Sequence, residues 1–352
     1  MLIKEVFNHN KSNDYIRPYI IAEVGVNHEC NMDLAKRLIS EAAEGGADSV
    51  KFQSYKADTL ASKNSPAYWD LTKEKTKSQH QLFKRYDKFW KEEFIQLKKY
   101  CEEFKIEFMS TPFDLESAEF LNELMDVIKI SSSDITNKPF IEYLCNFNKP
   151  IILSTGASNL DEIKDALNWI KPFNNKLAIL HCILNYPTDE INANLGMISD
   201  LKEKFPNNII GYSDHTMPSD MKVMEIASLM GCHIIEKHFT HDKKLPGNDH
   251  YHAMDKSDLI NYFDTICRIS KIYGKKSKES IITENISRLN ARRSLVFNQD
   301  LAKDSIINKE HLTWKRPASG ISPKHIDNVV GKKLIKDIVE DEILQWEMFN
   351  EN

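Results

Sequence analysis

Apolar and polar positions along this chain follow two alternating periods. Eight short, near-continuously apolar stretches recur: YIIAEVGV from Tyr19, SVKFQSY from Ser49, IEFMSTPF from Ile106, VIKISSS from Val127, PIILSTG from Pro150, LAILHCI from Leu177, IIGYSDHT from Ile209 and HIIEKHFT from His233. Each is followed by an amphipathic segment such as DLAKRLISEAAEGGA. Apolar strands that alternate with helical patterns predict a parallel sheet buried on both faces. Eight such units predict an α/β chain closed into a (β/α)8 TIM barrel. A doubly wound open sheet is the alternative, but no GxGxxG follows the first strand. The helical pattern ends near Ile272, and the polar YGKKSKESIITEN follows it. We therefore expect a barrel domain over 1–280, a linker over 281–291 and a small β-rich domain over 292–352, carrying the runs RRSLVF, LTWKRP and GKKLIKDI. A core of that size is marginal alone, so the small domain is expected to lean on the barrel or on a second subunit.

Side chains alternate along a strand, so one parity faces the helices and the other the barrel axis. With Val24 and Val26 on the helix side, Glu23 and Asn27 point inward; Val50 and Phe52 send Lys51 and Gln53 inward; Ile128 and Ile130 flank an inward Lys129. The same parity turns Thr111, Ser154, Ser213, His215, Glu236 and His238 toward the axis, near the strand ends where barrel enzymes place their chemistry. A lysine between apolar neighbours must be paired or liganded, and a salt bridge to Glu23 or Glu236 accounts for either one alone. Two lysines ringed by hydroxyls at one mouth suit a small, multiply charged anion. His215 and His238 end adjacent strands with the same parity, a spacing at which one Mn²⁺, Mg²⁺ or Zn²⁺ bridges them, with Asp214 and Glu236 expected as their supporting partners. His241, His250 and His252 lie in the following loop and are expected in solvent. Asp249, in LPGND, is expected in a turn over the mouth.

Composition narrows the classes. The chain has 352 residues, is 41% hydrophobic and carries a formal charge of −5, which gives no basic face for nucleic acid. No apolar run approaches the ~20 residues that cross a bilayer, and MLIKEVFNHNKSND lacks a signal-peptide core, so a cytoplasmic protein without a membrane partner is expected. Six scattered cysteines without a CxxC pair argue against a disulfide frame or a cysteine zinc site.

The motifs IAEVGVNHE, VKFQSY, STPFD, IKISSSD, ILSTG, HCILNYPT, GYSDHT and EKHFT resemble, in order and position, those of the sialic acid (N-acetylneuraminate) synthases, and RRSLV, KRPASGIS and GKK resemble that family's C-terminal antifreeze-like (SAF) domain. The resemblance covers nearly the whole chain. It implies condensation of phosphoenolpyruvate with an open-chain N-acylated mannosamine-type sugar to a nine-carbon 2-keto acid and phosphate. It implies phosphoenolpyruvate contacts at Lys51, Thr111, Lys129, Ser132, Ser154 and Ser213, and metal ligation by His215 and His238, with Mn²⁺ ahead of Mg²⁺ or Co²⁺. Sugar contacts fall on Gln53, Tyr186, Asp249 and Arg316, and Glu23 handles the water or the intermediate. The resemblance also implies a domain-swapped homodimer in which Arg316 serves the partner's barrel.

The chain departs from the N-acetylneuraminate-making branch at KFQSY, at EKHFT, at Leu184 and at Arg292. These changes leave two sugars open, N-acetylmannosamine and the 2,4-diacetamido-2,4,6-trideoxymannose of legionaminic acid synthases. The stretch 65–90 after the second strand is expected to cover the sugar, with Tyr68 and Trp69 either stacked on it or packed on the rim. Two other classes remain in view. A synthase for a phosphorylated aldose requires a further basic pocket, which the sequence does not offer. A non-catalytic sugar- or ice-binding protein has no use for two lysines, a glutamate and two histidines at one barrel mouth.

Overall fold

The structure is a computed structural model that describes residues 1–8, 15–247 and 249–349. The end of the MLIKEVFNHNKSND stretch and Asn248 of LPGND lie outside the described residues. The chain separates into two compact units, Met1–Lys276 and Ser277–Asn352.

The first unit contains the expected eight strands: β1 (Tyr19–Gly25), β2 (Ser49–Ser54), β3 (Glu107–Pro112), β4 (Ile128–Ile130), β5 (Ile151–Ser154), β6 (Leu177–Cys182), β7 (Ile209–Asp214) and β8 (Ile234–His238). All the ladders are parallel, in the order β3-β2-β1-β8-β7-β6-β5-β4, and β3 and β4 close the ring by packing side by side. Helices between the strands form where the sequence caps them. Asn31 accepts the Leu34 amide at 3.1 Å to start Met32–Glu44, whose Ala35, Leu38, Ile39 and Ala42 recur at helical spacing and are buried. Asp255 starts Lys256–Tyr273 in the same way, accepting the Ser257 and Asp258 amides. Facing outward from β2, Phe52 packs against Phe94 of the helix Lys91–Phe104, which leaves Lys51 and Gln53 to the axis.

Gly211 sets the approach of β7 to β8, because a Cβ there would sit 2.5 Å from the Ile234 carbonyl oxygen. In that register Ser213 lies beside Glu236 and Asp214 beside Lys237. The second unit pairs β9 (Ser294–Phe297) antiparallel to β10 (Leu312–Lys315) over a small core of its own that includes Leu295, Phe297, Ile307, Leu334 and Leu344. Within the stretch expected as a linker, Asn285–Ala291 is helical.

Candidate active site

The inward parity of all eight strands converges at one end of the barrel. Glu23, Lys51, Gln53, Thr111, Lys129, Ser132, Ser154, Tyr186, Ser213, His215, Glu236 and His238 all line one small cavity, joined by Phe113, Ser131 and Cys182. Both lysines are nearly fully buried and both are paired, as the salt-bridge expectation held. Lys51 makes an ion pair with Glu23 and donates to Thr111 Oγ1 at 2.8 Å. Glu236 Oε1 lies 3.7 Å from the Lys51 ammonium, 3.6 Å from that of Lys129 and 3.3 Å from Ser213 Oγ. Gln53 donates to Glu23 Oε1 at 3.1 Å. Ser132 Oγ accepts the Gly156 amide at 2.8 Å, whereas Ser154 Oγ and Glu236 Oε2 are buried without a hydrogen-bond partner among the described residues. A hydroxyl left aimed into a cavity beside two ammonium groups is a donor set in search of an anion.

The two carboxyls are shifted in opposite directions. Burial pushes Glu23 up to about 7, with Lys51 opposing the shift, whereas at Glu236 the Lys129 and Lys51 ammonium groups outweigh burial and hold the carboxyl below its usual range.

Burial pulls His215 down to about 4 and His238 well below its usual value, so both imidazoles are neutral at pH 7. Their centroids are 5.5 Å apart. His215 Nδ1 lies 2.7 Å from the Ile183 carbonyl oxygen, which can only accept; the proton therefore sits on Nδ1 and the lone pair on Nε2. His238 Nδ1 is buried without a hydrogen-bond partner among the described residues. Two neutral imidazoles with lone pairs to offer fit a divalent cation as donors. No group of three His, Cys, Asp or Glu side chains among the described residues is arranged to hold one.

Three expectations are corrected. Asp214 does not support the histidines; it pairs with Lys237 at 2.7 Å and accepts from Tyr212 and Thr216 on the helix side of the sheet. Strand alternation itself carried this signal, since 214 and 237 have the parity opposite to 215 and 238. Glu236 serves the lysines, so a backbone carbonyl and not a carboxylate orients His215. His250 and His252 are buried, not solvated: His250 Nδ1 lies 2.8 Å from Thr240 Oγ1, and His252 is fully enclosed beside His238.

A second, larger cavity of about 90 Å³ opens outside the first, which spans about 40 Å³, and the two share Gln53, Tyr186 and His238 as lining residues. Tyr55, Tyr68, Trp69, Leu82, Phe83, Tyr86 and Asp249 line the outer one, so the 65–90 stretch does form its wall. Trp69 is held in place by that stretch, its Nε1 donating to the Glu74 and Thr76 carbonyls, while Tyr68 approaches Tyr186 with centroids 6.3 Å apart. Glu29 and Glu74 add carboxylates that the sequence reasoning passed over, and no lysine or arginine is among the described lining residues. Arg316 follows β10 in the second unit and is exposed there.

Residues 38–278 match the model of the NeuB family, and residues 292–350 match that of the SAF domain. The chain belongs to the NeuB family. Among family relatives it is similar to the N,N'-diacetyllegionaminic acid synthase of Campylobacter jejuni, with 40% identity over 93% of this chain and 98% of the relative. The protein of the same name from Legionella pneumophila is 37% identical over 94% of each chain. A crystal structure of the sialic acid synthetase of Leptospira borgpetersenii in complex with citrate, 33% identical, superposes with a TM-score of 0.69 over 78% of this chain and 90% of that one.

Proposed function

We propose that this NeuB-family chain is a sialic-acid-type synthase that joins phosphoenolpyruvate to the aldehyde form of an unphosphorylated N-acetylated mannosamine-type sugar. The observation that carries this reading is the pairing of two chambers: an inner one with two buried lysines and, among the described residues, unpartnered polar atoms, and an outer one walled by aromatic side chains with no lysine or arginine among its described lining residues. The inner chamber suits a multiply charged anion, whose carboxylate and phosphate the Lys51 and Lys129 ammonium groups and the hydroxyls of Thr111, Ser132, Ser154 and Ser213 would hold. The outer chamber, with Glu29 and Asp249 in its wall and Glu74 paired with Arg85, offers no lysine or arginine among its described lining residues to a sugar phosphate and suits a sugar with apolar faces and acetamido groups. The relatives named as N,N'-diacetyllegionaminic acid synthases favour the 2,4-diacetamido-2,4,6-trideoxy sugar over N-acetylmannosamine.

The chemistry follows from the residues. C3 of phosphoenolpyruvate forms a carbon–carbon bond to the sugar aldehyde carbon, whose C=O electron pair moves onto its oxygen and takes up a proton there, which leaves positive charge at C2. The Glu23 carboxylate stabilises that charge and takes a proton from the water that adds there. The tetrahedral adduct then breaks its C2–O bond, and phosphate departs among the lysines and hydroxyls that bound it. His215 and His238 would hold a divalent cation, Mn²⁺ ahead of Mg²⁺ or Co²⁺, which when bound withdraws electron density from the aldehyde oxygen. Tyr186 and Gln53, common to both chambers, stand where the two substrates would meet.

The proposal includes a homodimer in which Arg316 serves the sugar of a second copy, as the family resemblance implies. The exposed Ile281, Ile282, Ile286 and Leu289 of the second unit are apolar surface that a partner chain would cover. Phosphate release from phosphoenolpyruvate, followed with N-acetylmannosamine, its 6-phosphate and the diacetamido trideoxy sugar, tests the reading. We expect release to require a sugar, with kcat/KM highest for the diacetamido sugar and lowest for the 6-phosphate. Best turnover of the 6-phosphate contradicts it.

A further inference from the structure

His252 is a histidine without an assigned task. It lies on the segment that returns from the loop after β8, and that segment is pinned to the strand end. The Met254 amide donates to the His238 carbonyl at 2.8 Å and the Thr240 amide to the Met254 carbonyl at 2.9 Å. The pinning sets the fully buried His252 ring edge-on to His238, with centroids 5.1 Å apart at 82°, and 5.7 Å from the Tyr186 ring. Among the described residues neither ring nitrogen of His252 has a hydrogen-bond partner, and neither has Nδ1 of His238. A buried polar atom left in that state is costly, so three of them in two neighbouring rings call for a shared arrangement.

The neighbouring histidine shows what is missing. His215 offers a lone pair on Nε2 because Ile183 accepts the proton on Nδ1. For His238 to offer Nε2 likewise, its Nδ1 must carry the proton and find an acceptor. No backbone carbonyl provides one among the described residues. The His252 ring stands beside it, and a neutral imidazole carries one lone pair and one N–H. His252 Nε2 lies 3.7 Å from Asp249 Oδ1, beyond hydrogen-bond reach but close enough for the carboxylate to favour the N–H at that end.

We propose that His252 is a positioning residue: through one bridging water it accepts the Nδ1 proton of His238, while its own N–H is turned toward Asp249, so that His238 is held in the tautomer whose Nε2 is free to bind. The relay Asp249–His252–His238 does for one ligand what the Ile183 carbonyl does for the other. It also ties the wall of the outer chamber, where Asp249 lies, to the histidine pair of the inner one. The inference deepens the proposed metal role of His238 and rests on it for its consequence, though the tautomer itself is readable without metal.

The test uses the full chain, stripped of metal, and has two readouts. Nitrogen-15 spectra of the histidine rings are expected to show His238 protonated on Nδ1; an Nε2-protonated His238 in the wild-type protein overturns the inference outright. Mn²⁺ titration followed by electron paramagnetic resonance, without substrates, is expected to show about 10–100-fold weaker binding in His252→Phe, which keeps the ring volume but has no nitrogen, and recovery of most of that loss in His252→Asn, which retains an acceptor. Equal affinity in wild type and His252→Phe, or equal loss in both variants, overturns it. If neither Mn²⁺, Mg²⁺ nor Co²⁺ binds the wild-type protein, the metal reading fails, and the ring spectra still decide the tautomer.

Discussion

Glu23 and Lys51 face each other in register on adjacent parallel strands, and their side chains form an ion pair with each only 3% exposed. Despite that contact the Glu23 carboxyl is pushed up to about 7, because burial of the charge outweighs the neighbouring ammonium. The group therefore changes charge near neutral pH, where a carboxyl asked to take a proton from water is best placed.

A pH profile of kcat/KM for phosphoenolpyruvate is expected to rise through about 7 as Glu23 ionises, and Glu23→Gln is expected to lose that limb along with about 10²–10⁴-fold in rate. The stability sign is opposite. A carboxyl raised in the folded state contributes stability that is full below its ordinary value of 4.5 and lost as pH rises through about 7. Thermal unfolding of wild type and Glu23→Gln across that window is expected to diverge in this direction. An unchanged acidic limb in the variant contradicts the assignment.

Lys129→Met is expected to raise KM for phosphoenolpyruvate at least about tenfold, the scale of a lost buried charge-assisted contact. It also leaves Glu236 with Lys51 as its one remaining cation within ion-pair distance among the described residues. Steady-state kinetics on the folded variant checks this; unchanged KM and kcat remove Lys129 from the anion site.

Asp214→Asn should act on folding and spare the chemistry. Burial pushes the carboxyl up, but Lys237 and Thr216 more than offset this and hold it below its usual range, so its contribution is present above 3.8 and lost as pH falls through the lowered value. Removing one partner of a fully buried pair costs about 3–5 kcal/mol, because Lys237 is left unpaired. Denaturant unfolding is the measurement, and a loss below about 1 kcal/mol contradicts the pair's structural role.

Chelation is expected to abolish turnover and added Mn²⁺ to restore it, and His238→Ala is expected to stay inactive at any Mn²⁺ concentration that restores wild type. Full activity of His238→Ala in excess chelator removes the cation from the account.

Much of this was legible in the sequence because strand alternation is a strict period. Eight apolar runs became eight strands, and the parity that put Lys51, Lys129, Thr111, Ser154, Ser213, His215, Glu236 and His238 inward is the parity the barrel has. Alternation was applied to one face only, and the outward partners Asp214 and Lys237 were missed although the same rule places them together. His250 and His252 were missed for a different reason. Their burial comes from a loop folding back on β8, and no period in the local sequence encodes a tertiary return of that kind. The acidic, aromatic character of the outer chamber likewise arises from segments far apart in sequence, Glu29 after β1, Tyr68 to Tyr86 after β2 and Asp249 after β8.

Phosphoenolpyruvate carrying oxygen-18 at the bridging position gives the most direct measurement of the central claim. With the diacetamido trideoxy sugar and Mn²⁺ present, we expect phosphate that carries the label, formed in equal amount with a nine-carbon 2-keto acid, and no phosphate when the sugar is left out. Unlabelled phosphate would mean the P–O bond was broken in place of the C–O bond; that result, or phosphate release indifferent to the sugar, contradicts the account.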